Sequence, residues 1–449
     1  MTAIFKVRPQ GMRAFYLIWV GQFFSLLGTG MTRFALTLWA WELTGSATAL
    51  ALVAFFSFLP GVIFSPVAGA LVDRWDRKLV MMLSDLAAGV GTIALFILSI
   101  NGVLVLWHVY VIALIAGAFE SFQFPAYSAA ITTMVSKDQY ARTSALLGLA
   151  NSASSIFAPV AAAALYVLFQ LEGVLLIDIV TFSIAYLTLL IVKIPAVKRS
   201  ADGAESQSNW WQEFSYGFRF IWRRKSLFWV QMTFFFANLI FGMTFILINP
   251  LILARTGNDE AILGIVSAFL GAGGVIGGLL ISTFGGFKDR RIRGVLWGFV
   301  ASGITGSVVL GIGQSLPVWV IGATCTMLFM PLVNASNQAI WQSKVPPDVQ
   351  GKVFAARRVI AQISSPLAMI IGGLLADYVF EPAMQADGWL APVFGSLVGT
   401  GDGAGIGLMF VLIGIGTAGI GLIAYNRTII RDVEALIPDF DPALIARDS

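Results

Sequence analysis

Charge is what this sequence has least of. Only 12% of its 449 residues are Asp, Glu, Lys or Arg, about half the share of an ordinary soluble domain. It has one cysteine, Cys325, and one histidine, His108. A single cysteine excludes an intrachain disulfide framework, and Cys325 lies inside an apolar run that says nothing about redox compartment. A single histidine with no neighbouring ligands leaves no zinc site and no His-based triad. No G-x-x-x-x-G-K-[ST] stretch occurs, so direct drive by ATP is unsupported. The net charge of +4 is spread over short loops, which is not the footprint of a nucleic-acid binder. No cofactor, no metal and no catalytic set is expected.

What the chain has instead is apolar length. Hydrophobic residues make up 58% and mean hydropathy is +0.84. There is too little polar surface to cover a water-facing globule, so the class is a membrane protein. Taking about 20 apolar residues per crossing, twelve spans are predicted. Their centres lie near Phe24, Val62, Ala94, Ala118, Phe157, Ile184, Ala237, Gly273, Gly303, Phe329, Ala368 and Ile415. The first is read as an uncleaved span rather than a signal peptide, because its apolar run is too long and many more follow. With the N-terminus inside, 26 of the 28 basic residues fall in inside loops or the termini, leaving Arg33 in span one and Arg255 in an outside loop. That asymmetry places both termini in the cytoplasm.

The longest polar stretch, Lys193 to Lys225, divides the chain. Residues 198–208 read as a flexible linker. After them, Trp211, Phe214, Phe218, Ile221 and Trp222 share one helical face ahead of Arg223, Arg224 and Lys225. This is either an interfacial helix or the cytoplasmic start of span seven. The halves can be laid on each other: Thr44-Gly45 on Thr256-Gly257, Pro159 on Pro366, and Ala130-Ile131 on Ala339-Ile340. A repeat of about 210 residues implies two six-helix bundles with substrate between them near the midplane. The expected division is 1–195, a cytoplasmic linker over 196–225, and 226–449 with the tail. Between spans eleven and twelve, Glu381 to Asp402 reads as an outside lid packed on its bundle.

Between spans two and three runs Gly69-Ala-Leu-Val-Asp73-Arg74-Trp75-Asp76-Arg77-Lys78. Such a charged turn cannot enter hydrocarbon, where a central charge costs at least ~2.5–3.5 kcal/mol, so it marks the membrane surface. Gly69, Asp73, Arg74, Arg77 and Lys78 resemble the signature of the major facilitator superfamily at this turn. That pattern has a second glycine where this chain has Asp76. Further stretches resemble the drug:proton antiporter branch that includes macrolide-efflux and siderophore-export proteins. These are Phe122-Gln-Phe-Pro125-Ala126, Ile177-Asp178, Trp211 to Trp222 and the tail from Arg431 to Asp439. That branch's helix-five motif has glycine before its proline, where this chain has Ala158-Pro159. The resemblance implies an all-α polytopic fold of twelve transmembrane helices and a gating role for the turn. A carboxylate there can cap a neighbouring helix while the arginine holds it; the other reading is a solvated, topology-setting turn.

Charges inside the spans are the remaining candidates. Glu120 is mid-span in helix four, which lines the central cavity in the resembled family, and is read as a proton carrier or a counter-ion to a cationic substrate. Arg33 is placed too far above Glu120 for a direct pair and is assigned to an anionic substrate or to Asp178. Asp178 is grouped with Glu120 and Arg33 as a proton-coupling or substrate charge, with a structural anchor as its other reading, and Asp85 is read as a partner of Arg77. The cavity lining is expected to mix amides, hydroxyls and aromatics: Gln22, Thr29, Phe124, Asn238, Asn334, Asn337 and Gln338, with helix–helix glue as the competing role. Pro125, Pro250 and Pro331 should mark kinks. The resulting expectation is a monomeric, multi-pass protein of the cell (inner) membrane. It would export a small amphipathic molecule, drug, macrolide-like compound or siderophore, in exchange for protons. The alternatives are a facilitator or importer, or a membrane enzyme or scaffold that transports nothing. Its expected partners are the lipid bilayer, the small-molecule substrate and protons.

Overall fold

The computed structural model describes residues 11–72, 75–136, 139–192, 194, 210–285, 287, 290–346 and 349–439. Every regular element among them is helical. The long helices are α1 (Gly11–Thr44), α2 (Ala47–Val72), α3 (Arg77–Ile100), α4 (Leu106–Met134) and α5 (Tyr140–Ile191). After α6 (Trp210–Arg223) come α7 (Lys225–Thr256) and α8 (Glu260–Phe284), then α9 (Arg291–Ile312), α10 (Leu316–Lys344) and α11 (Gln350–Met384). A short α12 (Ala391–Val398) precedes α13 (Ala404–Asn426).

Eleven of the described helices are long and apolar enough to cross a membrane. One of them, α5, has 52 residues and would run roughly 78 Å if straight, more than twice the ~30 Å hydrocarbon core. It is broken at Gln170, where φ is 55° and ψ is −165°, a conformation few non-glycine residues adopt. Phe157 lies before the break and Ile184 after it, so α5 supplies two spans. The fold is therefore an all-α polytopic one, with twelve membrane helices among the described residues.

The chain forms two compact units. The first is Met1–Ala201 with Thr256–Ala268; the second is Asp202–Arg255 with Phe269–Ser449. The core of the first unit gathers Phe15, Ile18, Met81, Tyr127 and Leu189 from α1, α3, α4 and α5. The core of the second gathers Phe234, Val295, Phe299, Val333, Trp341 and Val353 from α7, α9, α10 and α11. Helix α6 is separate from α7 and packs on α11. Its buried stripe is Gly217, Phe220 and Ile221, while Trp222 is 73% exposed. The expected single face is thus corrected for Trp222, which follows Ile221 by about 100° of helical turn and faces away. The side chains of Trp211 and Phe214, and the whole of 198–208, lie outside the described residues.

The repeat is visible in the contacts inside each unit. The Trp19 indole donates to the Leu146 carbonyl at 2.9 Å, and Gln231, about 210 residues later, donates to the Arg357 carbonyl at 3.2 Å. Arg77 donates to the Ala129 carbonyl at 2.9 Å, and Arg291 to the Ala339 carbonyl at 3.4 Å. Both Thr-Gly turns use a left-handed glycine, Gly45 at φ 59° and Gly257 at φ 65°, because a side chain there would clash with the backbone. The proline kink in α10 is realised: the helix breaks at Phe329 and restarts at Met330 with Pro331 in its first turn. Pro125 and Pro250 lie inside α4 and α7.

Candidate functional site

The charged turn is built by its flanking helices. Gly69 lies in the last turn of α2; Asp73 and Arg74 lie outside the described residues. Asp76, where the resembled signature has glycine, is the N-cap of α3. Its Oδ1 accepts from the backbone N–H groups of Lys78 at 2.8 Å and Leu79 at 3.1 Å, satisfying two donors that a helix start leaves open. Arg77 reaches the Ala129 carbonyl near the end of α4. Lys78 Nζ donates to the Leu190 and Val192 carbonyls at 3.2 and 2.7 Å, at the end of α5. Both cations therefore sit against helix C-termini, where the dipole favours positive charge.

Arg33 and Glu120 form a direct ion pair, Nη2 to Oε2, between α1 and α4. This corrects the reading that set them too far apart. Helical rise compares backbone levels, whereas these two long side chains extend several ångströms along the helix axis. The side chains remain 54% and 51% exposed. Asp178 is 2% exposed and accepts from three hydroxyls, Thr29 at 3.4 Å, Thr32 at 2.9 Å and Thr92 at 3.0 Å. It takes no hydrogen bond from Arg33. It fastens the second half of α5 to α1 and α3, helped by Gly28, which lies directly against Thr181 and Asp178.

Asp85 does not pair with Arg77. It is 4% exposed and accepts from Gln22 Nε2 at 2.8 Å and from Gln123 Nε2, while Gln123 Nε2 also donates to Gln22 Oε1 at 3.0 Å. Eight residues along one helix separate Arg77 from Asp85 by roughly 12 Å, so the partners come from α1 and α4 instead.

The predicted lining residues divide. Gln22 and Thr29 are engaged with Asp85 and Asp178. Asn337 is buried and accepts from the Trp341 indole at 3.1 Å, and Gln338 accepts from Arg357 at 2.9 Å. Phe124 is 67% exposed; Asn334 is exposed and Asn238 half-buried. A cavity of about 350 Å³ in the second unit is lined by Gly277, Leu280, Ile281, Phe284, Phe287, Leu328, Phe329 and Leu332, none of them a predicted lining residue. His108 accepts from the Val105 backbone N–H at the start of α4, which gives it a capping role. Among the described residues no group of three or more His, Cys, Asp or Glu is placed to hold a metal.

A profile of the Major Facilitator Superfamily matches residues 18–369. The chain belongs to that superfamily. Its relatives include macrolide efflux protein A of Streptococcus pyogenes, 28% identical over 81% of this chain and 90% of that protein. The multidrug efflux pump Tap of Mycolicibacterium fortuitum is 25% identical over 78% and 86%. The enterobactin exporter EntS of Shigella flexneri is 22% identical over 88% and 92%. The crystal structure of the nucleoside transporter NupG aligns with a TM-score of 0.70 at 12% identity, covering 93% of this chain and all of that one, which bears on the fold alone. This superfamily member is thus a multi-pass membrane transporter of a small molecule, not an enzyme.

Four residues of this superfamily member carry more than sequence reasoning assigned. Gln123 closes the ring around Asp85, and its signal is an amide in a 29-residue apolar helix. Arg357 is a guanidinium inside α11 that donates to Gln338 and stacks 5.2 Å from the Trp341 ring centre. Arg255, read as lying in an outside loop, is in the last turn of α7 and donates to the carbonyls of Gly311, Gly313 and Val398. Glu381 accepts from the Gly403 and Ile406 N–H groups at 3.1 and 2.7 Å, capping α13. With Met384, Leu390, Phe394 and Val398 packed on Leu408 and Val411, these bonds fasten the 381–402 segment to its bundle.

Proposed function

We propose that this chain exports a small amphipathic molecule, of the macrolide-like or siderophore class, by proton-coupled alternating access. The observation that carries the reading is the half-exposed ion pair of Arg33 and Glu120 at membrane depth. Charge facing hydrocarbon is costly, so an exposed pair within the spans belongs on a polar passage. In this reading Glu120 is the charge that a cationic substrate competes for, with Arg33 as its resting counter-ion. Gln22 and Thr29 act behind that surface, while Phe124, Asn238 and Asn334 meet substrate. Asn337 and Gln338 support the second half of the passage, and Asp178 anchors the first. The turn at Gly69, Asp73, Arg74, Arg77 and Lys78 acts as the latch between conformations. The protein works as a monomer in the inner membrane with both termini cytoplasmic, and the halves divide at 196–225. Efflux relatives favour export over a facilitator or importer. The test is export of a labelled macrolide and a labelled catecholate siderophore from cells, with and without a proton uncoupler. Export that the uncoupler stops supports the proposal. Export that it leaves unchanged replaces it with facilitated diffusion.

A further inference from the structure

The ring of Gln22, Asp85 and Gln123 has a counterpart in the second unit, and the counterpart is apolar. The recurring contacts set the register. Trp19 corresponds to Gln231, Arg77 to Arg291 and Ala129 to Ala339, the last one residue away from the Ala130–Ala339 match that sequence alone offered. Counting three residues on from Trp19, eight on from Arg77 and six back from Ala129 puts Gln22 opposite Phe234, Asp85 opposite Phe299 and Gln123 opposite Val333. Those three are buried together in one core, and the Phe234 and Phe299 rings meet edge to face at 5.3 Å. Packing three helices at this position therefore needs no polar group. An ordinary helix fastener would not retain a buried carboxyl in one copy when apolar side chains do the same work in the other, because isolating a carboxylate from water is strongly unfavourable.

No cation among the described residues holds the carboxyl of the ring. Among the described residues no arginine, lysine or histidine bonds Asp85. The surrounding charged groups are engaged elsewhere. On α4, Glu120 is held by Arg33 of α1. On α5, Asp178 is held by Thr29, Thr32 and Thr92, and Tyr186 packs on Phe182. On α3 itself, Arg77 and Lys78 are on backbone carbonyls. On α1, Tyr16 lies under Arg142. The Tyr127 hydroxyl of α4 is buried with no hydrogen-bond partner among the described residues.

Two glutamines are suited to a carboxyl that changes charge. Both Asp85 oxygens accept from Nε2 groups, which serves the carboxylate. A glutamine amide offers a donor and an acceptor on one rotatable plane. A half-turn of the Gln22 amide presents Oε1 to an Asp85 O–H while Gln123 Nε2 still donates to the other carboxyl oxygen; the same turn sets Gln22 Nε2 against Gln123 Nε2 and breaks the bond between the two glutamines. We infer that Asp85 is the carboxyl that takes up and releases the coupling proton, with Gln22 switching between donor and acceptor and Gln123 holding the other oxygen. A proton from the medium on one side forms one O–H bond on the carboxylate, giving a neutral acid. The same bond breaks to deliver the proton to water on the other side, and nothing is oxidised or reduced. Because the ring joins α1, α3 and α4, reversing its bonds alters how those helices hold one another. This deepens the export proposal and rests on it for the step that the proton drives.

The test uses the purified full chain and has two arms. Infrared difference spectra between acid and alkaline samples need no substrate. Of the protonated-carboxyl bands that acid brings up, one should be common to the wild type and Glu120→Gln, vanish in Asp85→Asn and move in Asp85→Glu. The band persisting in Asp85→Asn, or no such band in the wild type, overturns the inference. In proteoliposomes with an imposed pH gradient, the wild type and Asp85→Glu should concentrate a labelled macrolide. Asp85→Asn should still equilibrate it but let the concentration ratio fall to unity. Undiminished accumulation by Asp85→Asn also overturns the inference. If Asp85→Asn does not fold, the band shift in Asp85→Glu decides. A wild type that shows the band but moves no macrolide leaves the proton site standing and removes the export reading for that substrate.

Discussion

Removing one half of the Arg33–Glu120 pair should harm the protein more than removing both. At an ordinary charge-assisted contact of about 2.8 Å, Coulomb's law gives roughly 6 kcal/mol at an effective dielectric of about 20 and roughly 1.5 kcal/mol in bulk water. Both side chains are about half exposed, so the pair lies between those limits, and solvent screening pulls it toward the lower one. Each charge already has part of its solvation, which reduces what a partner adds. A coupling energy of about 1–3 kcal/mol follows, typical of residues in direct contact. The perturbation is a double-mutant cycle of Arg33→Gln, Glu120→Gln and the double variant. The assay is equilibrium unfolding in mixed detergent micelles, with labelled-substrate export measured on the same proteins. Each single variant leaves an uncompensated charge at membrane depth, and the double variant should regain most of the lost stability. Export should fall in all three, because two neutral amides in place of the ion pair offer no site for a charged substrate. A coupling energy below about 0.5 kcal/mol would show that the two residues do not restrain each other. A double variant less stable than both singles would refute the reasoning outright.

Three further outcomes follow from single contacts. Asp76→Ala removes the acceptor for two N–H groups at the start of α3 and should cost about 1 kcal/mol in unfolding free energy, with Asp76→Ser recovering most of it; equal losses in both would deny the capping role. Gly28→Val drives a side chain into Thr181 and Asp178 and should cost about 1–3 kcal/mol through overpacking, read as a lowered Tm in detergent; an unchanged Tm would mean that α1 and α5 do not pack this closely. Lys344 hydrogen-bonds Asp439 at 2.7 Å and holds its carboxyl below the usual range. That contribution is present above the ordinary carboxylate pKa of about 4 and disappears as pH falls through the lowered value. Asp439→Asn should therefore flatten the acid limb of Tm against pH, and a limb of unchanged slope would assign acid lability elsewhere.

Helix number was legible because crossing a membrane demands a length of apolar chain that composition alone reveals. Even the 52-residue α5 was separable into two centres, since no single crossing could use all of it, although nothing marked Gln170 as the breaking residue. Asp178 was legible as a charge just inside a span, whereas the three hydroxyls that hold it came only with the fold. Partnerships were harder. Asp85 was sought along its own helix and found its bonds on two others. Arg33 and Glu120 were separated by backbone depth and joined by side-chain length. A residue's partner in a helical membrane protein depends on rotation and tilt, which periodicity does not specify when nearly every position is apolar. Asp76 shows a subtler limit: against the resembled signature it looks like the loss of a glycine, yet in the fold it supplies a cap.

The duplicated architecture offers a way past that limit. Once shared contacts fix the register between the halves, each position has a second solution to the same packing problem. Glu120 falls opposite Met330 and Arg33 opposite Phe245, just as the Asp85 ring falls opposite Phe234, Phe299 and Val333. The apolar copy shows what holding the helices together requires at each place. Polar groups found only in the first copy exceed that requirement, and their desolvation cost must be offset by a role other than packing. By that measure Arg33, Glu120 and Asp85 bear on transport, whereas the bonds of Arg77 and Arg291, made alike in both copies, belong to the shared architecture on which the proposed latch is built.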